Sequence, residues 1–228
     1  MIKLKKFILL FLCLNTLLFG KLRFLVSQNY SSLTTRKENY HTSFGYGLMV
    51  EKNGKNSFIN SWSFGVNIIE LGGVKLNCRT DHGYINTGYS TSFFDFFVSI
   101  KYLQVPFNLS IEVFNYYNWT LKINSGMSFL IPVKDNSRLR FIKTYNDGLE
   151  GEFGYHWMLD PPPLIDNSLI GLHFGIRLDY RFLNFQYHYS LFPNTLSHIS
   201  SYEFHEKLFA HIIEIGCDIS KILYKNRK

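Results

Sequence analysis

Three observations predict an all-β fold, an exported eight-stranded antiparallel transmembrane β-barrel: side chains alternating apolar and polar at period two, connections alternating long with short, and an apolar leader behind three lysines. The leader reads MIKLKKFILLFLCLNTLLFG, with Lys3, Lys5 and Lys6 before the run Phe7 to Leu14 and Gly20 as a small residue for cleavage. Asn15 and Thr16 interrupt that run, leaving it short of the roughly 20 apolar residues of a membrane helix. A lipoprotein site at Cys13 would need a small residue where Leu12 stands. The expected organisation is a signal peptide over 1–20 and one barrel domain over 21–228, placed in the bacterial outer membrane.

Loss of residues 1–20 removes three lysines and no acids, leaving 21 basic against 17 acidic residues. That mild excess, without a long basic run, argues against nucleic acid as a partner. Aromatic residues make up 18% of the chain, with 15 Tyr and 22 Phe, at a mean hydropathy of −0.04. Such a balance fits aromatics turned toward an apolar solvent and polar residues turned the other way. Cys78 and Cys217 are too few for a disulfide scaffold and read as small unpaired side chains, although an oxidising compartment would allow them to pair.

Strands are predicted near residues 22–30, 42–52, 57–72, 95–113, 118–132, 168–181, 183–192 and 207–222. In the third, Trp62, Phe64, Val66 and Ile68 alternate with Ser61, Ser63, Gly65 and Asn67. In the fifth, Ile123, Met127, Phe129 and Ile131 alternate with Lys122, Asn124, Gly126 and Ser128. The sixth sets Ile170, Leu172, Phe174, Ile176 and Leu178 against Gly171, His173, Gly175, Arg177 and Asp179. The seventh sets Phe185, Tyr187, Tyr189 and Leu191 against Gln186, His188 and Ser190, and the last sets Ile213, Ile215 and Cys217 against Glu214, Gly216 and Asp218. A soluble sandwich also alternates. Here the polar face is Gly, Ser, Asn and His with few charges, which suits a crowded lumen better than a surface in water.

Asn53-Gly54 is a hairpin signal, and Asn115 to Tyr117 and Arg181-Phe182 supply the other short turns, all on the periplasmic side with both termini. The longest outer segment, Val133 to Asn167, contains Asp160-Pro161-Pro162-Pro163, which no sheet interior accepts.

Residues 99–113, SIKYLQVPFNLSIEV, resemble the small outer-membrane β-barrel family of Gram-negative bacteria that includes PorT-like proteins. Tyr102 to Phe107 follow that family's fourth-strand pattern "YLEIPLLLKY", with Gln104 where Glu is common. Leu172 to Tyr180 resemble its "GLVLGAGVEY" strand, and Phe185 to Thr195 resemble "LEARYSLGLTNI". The resemblance implies an eight-stranded barrel and carries no catalytic or metal residues. Pro106 then needs its missing N–H to fall at a bulge or a rim.

By parity Glu51, Glu112, Lys122, His173, Arg177, Asp179, His188, Glu214 and Asp218 face the lumen. Eight strands leave only enough room for side chains, so these groups are expected to form one interior polar network. Lys122 is expected to meet Glu112, and Arg177 and Asp179 to converge on His188. A catalytic reading exists for His188 and Ser190 with Glu203 or Glu206 as orienter, since lipid A deacylases are eight-stranded barrels with a His-x-Ser pair. Here Leu191 follows the pair where those enzymes have Asn, and parity turns both residues inward. No metal site or cofactor is expected. The expected role is structural, binding or secretion-accessory, through outer loops in which Trp157, Pro161, Pro162 and Pro163 form the contact surface. A deacylase-like hydrolase and a narrow pore are the alternatives. The expected partners are outer-membrane lipid and envelope or secretion proteins, around a monomer.

Overall fold

The computed structural model describes residues 20–33, 40–54, 60–84, 88–146, 149–151, 157–158, 168–196 and 206–220. Eleven strands are present: β1 (Lys21–Leu33), β2 (His41–Asn53), β3 (Ser61–Tyr84), β4 (Gly88–Tyr116), β5 (Trp119–Asp135), β6 (Arg138–Asn146), β7 (Leu149–Gly151), β8 (Trp157–Met158), β9 (Leu169–Tyr180), β10 (Leu183–Leu196) and β11 (Glu206–Asp218). Eight of them, β1 to β5 and β9 to β11, pair in an antiparallel ring. The ring closes where β1 pairs with β11, from Arg23 opposite Asp218 to Leu33 opposite Leu208. Closure satisfies the backbone groups that an open sheet would leave at its edges.

One end of the barrel is built from tight turns. Tyr117-Asn118 join Tyr116 to Trp119, and Arg181-Phe182 join Tyr180 to Leu183. Tyr117 and Arg181 have φ of 53° and 52°, the left-handed conformation that two-residue hairpins use to follow strand twist. The first turn therefore lies at Tyr117-Asn118, one residue beyond the segment Asn115 to Tyr117 expected from the sequence.

The opposite end extends past the barrel. Strands β3 and β4, 24 and 29 residues long, remain paired as far as Tyr84 opposite Gly88. The segment between Gly73 and Phe94, expected as a long loop, is mostly a continued hairpin. Strand β5 also ends later than expected, and the chain then runs on along β4 as β6, with Phe97 opposite Arg138 and Ser90 opposite Asn146. Strands β7 and β8 pair with β6. The segment Val133 to Asn167 thus contributes β sheet as well as loop. Its Pro161, Pro162 and Pro163 lie outside the described residues.

Pro106 has neither a bulge nor a rim beside it. The β3–β4 register is the same on both sides of it, Phe64 opposite Phe107 and Asn67 opposite Gln104, which places Pro106 opposite Gly65 within a local break in that ladder. Its pairing with Ser128 on β5 is intact, so the missing donor falls on the β3 side alone. Bulges occur at other places, at Val133 on β5 opposite Lys101 and Tyr102, and at Val113 on β4 between Glu112 and Phe114.

The interior has two layers of different chemistry. Polar and charged side chains fill the turn-end half, as parity predicts. The half nearer the extension is apolar, with Leu33, Ile69, Leu71, Ile100, Tyr102, Leu130, Leu169, Phe192 and Leu208 forming one cluster, none more than 1% exposed. Sequence parity alone makes the lumen polar throughout; closure instead places the inward positions of β3 after residue 68, of β4 before residue 103 and of β10 after residue 191 in a dry plug. The last strand ends at Asp218, four residues earlier than expected.

Candidate functional site

The charged centre lies in the turn-end half of the lumen. Glu51 on β2 has a fully buried carboxylate that meets Arg23 Nη2 at 2.5 Å, Arg177 Nη2 at 2.9 Å and Lys122 Nζ at 3.2 Å. Asp179 takes Arg177 Nη2 at 2.8 Å, Lys122 at 3.3 Å and Arg23 at 3.7 Å. Four strands supply these five groups, and Asp218 stands opposite Arg23 in the β1–β11 register. Counting Asp218, three cations face three carboxylates. Such a cluster tolerates burial because each of the three cations meets the Glu51 carboxylate within hydrogen-bonding reach.

The expected membership is partly met. Lys122, Arg177 and Asp179 join; Glu112 does not, although Lys122 is its cross-strand neighbour. The Glu112 carboxylate accepts from Asn115 Nδ2 at 3.0 Å, nearer the turns, because the bulge after Glu112 turns that end of β4. Arg23 is the member that sequence reasoning missed; the signal was its inward parity on β1, between Leu22 and Phe24. Below the cluster, toward the turns, lies an open polar cavity of about 510 Å³ lined by Lys21, Asn60, Asn115, Thr120 and Asn184 among others.

The histidines form a separate layer. His188 Nδ1 lies 3.2 Å from Gln186 Nε2 and 3.9 Å from Glu214, and its ring centroid is 5.4 Å from that of His173. Arg177 and Asp179 do not hold His188, contrary to the expected convergence, because the two strands are offset so that Gly175 stands opposite His188. His173 is hydrogen-bonded to Asn108 and stands opposite Gly126. Each imidazole thus has a glycine as cross-strand neighbour. A Cβ on Gly126 would come within 2.6 Å of His173 Nε2, and one on Gly175 within 2.6 Å of His188 Cβ. Glycine spacing across the strands could have signalled this layer.

Ser190 is fully buried and faces inward. Its hydroxyl has no hydrogen-bond partner among the described residues, so it makes no nucleophile–base contact with His188. Glu203 lies outside the described residues. Trp157 is in β8, opposite Arg140. Among the described residues no group of three His, Cys, Asp or Glu side chains is placed to hold a metal. Cys217 is a free thiol near the turn end, whereas Cys78 lies in the extension at the other end.

Outward, Phe44, Phe107, Met127, Phe174, Ile176, Phe185 and Ile215 are among the large apolar side chains exposed around the barrel. Rings edge this belt at the turn end, where Tyr116 packs on Tyr117 with centroids 4.5 Å apart and Trp119 on Tyr180 at 4.3 Å. At the other edge Tyr40, Tyr187, Tyr189 and Phe209 surround His211, whose Nδ1 lies 2.8 Å from the Tyr187 hydroxyl. A closed strand ring with an apolar outer belt and aromatic edges is a transmembrane β-barrel of the bacterial outer-membrane type.

No protein-family model and no curated protein sequence matches the chain. Among solved structures it is similar to Neisserial surface protein A, with 7% identity over 87% of this chain and 96% of that one, at a TM-score of 0.40. It is also similar to the outer membrane enzyme PagL, with 10% identity over 85% and 98% of the two chains and a TM-score of 0.31. A further similar structure is Ail of Yersinia pestis, with 10% identity over 86% and 95% and a TM-score of 0.25. Likeness at this level says nothing about activity.

Proposed function

We propose that the protein is a sealed outer-membrane barrel that works as a binding or secretion-accessory scaffold, monomeric in the membrane, presenting its sheet extension outside the cell. The observation that carries this reading is the continuation of β3, β4 and β6 as paired sheet beyond the barrel. A loop that merely connected strands would not hold a ladder from Phe97 to Ser90 against a second strand. The sequence of β6, RLRFIKTYN, brings three basic residues and no acid to the extension. Export through the leader at 1–20 and membership of the PorT-like branch of small barrels belong to the same proposal, supported by the sequence features above.

The rival activities receive less support. A pore requires a continuous aqueous path, and the apolar cluster from Leu33 to Leu208 closes the lumen. A deacylase built on His188 and Ser190 would need both groups to reach lipid, and both are within the wall of the lumen. The test is site-specific photo-cross-linking from position 140 in intact cells, compared between the whole chain and a deletion of Lys143–Leu159. A discrete adduct that disappears with the deletion, while heat-modifiable gel migration persists, supports the reading. Folded protein in the membrane that gives no adduct sinks it.

A further inference from the structure

The lipid-facing wall formed by β10, β11, β1 and β2 carries an imidazole where hydrocarbon contact would favour an aliphatic residue. Along β11, Ile215 and Ile213 are half exposed on the outer face, and the next outward positions toward the extension are His211, Phe209 and then Lys207. A polar side chain in the middle of the belt would be costly to desolvate, so this change of character marks the upper edge of the hydrocarbon. Opposite His211 in register stand Tyr30 on β1 and Tyr189 on β10. Phe209 and the half-exposed Tyr40 pack edge to face with ring centroids 6.5 Å apart.

The polar atoms there are arranged for a ligand. Tyr187 engages Nδ1 of His211, which leaves Nε2 as the nitrogen directed away from that bond. Lys207 is exposed two positions further along the same face. Among the described residues, the outward-facing positions of these four strands carry no carboxylate, so the wall favours negative charge. Tyr40 continues the surface into an open groove of about 570 Å³ that is lined by His41, Glu70 and Arg138 among others. Glu70, on β3, is engaged within that groove: it accepts from Ser99 Oγ at 2.5 Å and lies 3.5 Å from His41 Nε2.

We infer that this aromatic shelf binds the phosphorylated sugar headgroup of the acylated glycolipid of the outer leaflet, resting on the reading of the chain as an outer-membrane barrel with its extension outward. The tyrosine rings supply faces for a sugar to stack on, His211 Nε2 takes the phosphate, and the acyl chains lie along Ile213 and Ile215 below. The occupant is a lipid rather than free phosphate, because the His211 imidazole sits directly above the exposed aliphatic side chains of Ile213 and Ile215.

The experiment is native mass spectrometry of the whole mature protein in a zwitterionic detergent, titrated with bis-phosphorylated lipid A, dephosphorylated lipid A, phosphatidylglycerol and inorganic phosphate. The wild-type protein is expected to retain one lipid A, in preference to the other three probes. His211→Leu is expected to weaken that binding about tenfold and Tyr187→Phe by a smaller factor, in keeping with the loss of one charge-assisted and one neutral hydrogen bond. Tyr116→Phe, at the other edge, should bind like wild type. Equal affinity in His211→Leu and wild type overturns the inference, as does equal binding of phosphatidylglycerol or of phosphate alone. Failure of the wild-type protein to show heat-modifiable migration would instead overturn the membrane-barrel reading beneath it.

Discussion

Glu51→Gln removes one negative charge and leaves the side chain almost the same shape. In the folded protein that carboxylate is buried with Arg23, Arg177 and Lys122 at 2.5, 2.9 and 3.2 Å. The substitution therefore leaves three cations at the same site with Asp179 as the carboxylate they share. A hydrogen bond to a charged group contributes about 1.5–3 kcal/mol net, and stripping one partner from a buried ion cluster costs about 3–5 kcal/mol because the remaining charges stay desolvated. We expect a loss of about 3–5 kcal/mol, which at a urea slope of about 2 kcal/mol/M lowers the unfolding midpoint by about 1.5–2.5 M. Asp179→Asn is the internal comparison: its side chain is 18% exposed and borders the cavity, so its loss should cost about 1–2 kcal/mol. Arg23→Met placed on Glu51→Gln should restore part of the loss by removing an unpaired cation. The assay is equilibrium unfolding from lipid vesicles at neutral pH, followed by tryptophan fluorescence and heat-modifiable migration. A Glu51→Gln midpoint within about 0.3 M of wild type, or an Asp179→Asn effect as large, would refute the account of the lumen as one ion cluster centred on Glu51.

Further expectations concern the plug, the histidine layer and the sealed lumen. Phe192→Ala in the apolar cluster should cost about 3–5 kcal/mol, read in the same unfolding assay, because its ring is fully buried and leaves a cavity. Gly175→Val should destabilise by at least about 2 kcal/mol, since even a Cβ there would lie 2.1 Å from the Tyr187 carbonyl oxygen of the paired strand. Ser190→Ala should change stability by less than about 1 kcal/mol, as its hydroxyl has no partner to lose among the described residues; lipid A from cells carrying it or His188→Ala should have an unchanged mass. Liposomes containing the wild-type barrel should not swell in small sugars, and rapid swelling would show that the plug is not closed.

Much of the architecture is legible in the sequence because the signals are local. Strict alternation from Ile170 to Asp179 assigns one face to lipid and the other to the lumen, and the structure places Arg177 and His173 inward with Ile176 and Phe174 outward. Arg181-Phe182 is short enough to force a hairpin. Legibility ends where alternation persists but the surroundings change. Val98, Ile100 and Tyr102 occupy the same parity as Gln104 and Asn108, so period two could not distinguish the dry plug from the polar half. The extension was hidden because residues 73–94 and 134–146 carry loop-like composition and become sheet only by pairing with each other and with β4.

The sequence by itself determined that the chain forms strands with one apolar face and which residues turn inward, since side-chain direction in a strand depends only on position along it. Only the tertiary structure decided which inward residues meet. Arg23, Glu51, Lys122 and Arg177 are scattered over the first, second, fifth and sixth barrel strands, and ring closure brings the three cations to the Glu51 carboxylate. The offset between neighbouring strands of a closed barrel sets those encounters, and that offset is a property of the whole ring rather than of any segment. The same offset gave His188 a glycine neighbour instead of Arg177, and it brought His211 within hydrogen-bonding distance of Tyr187.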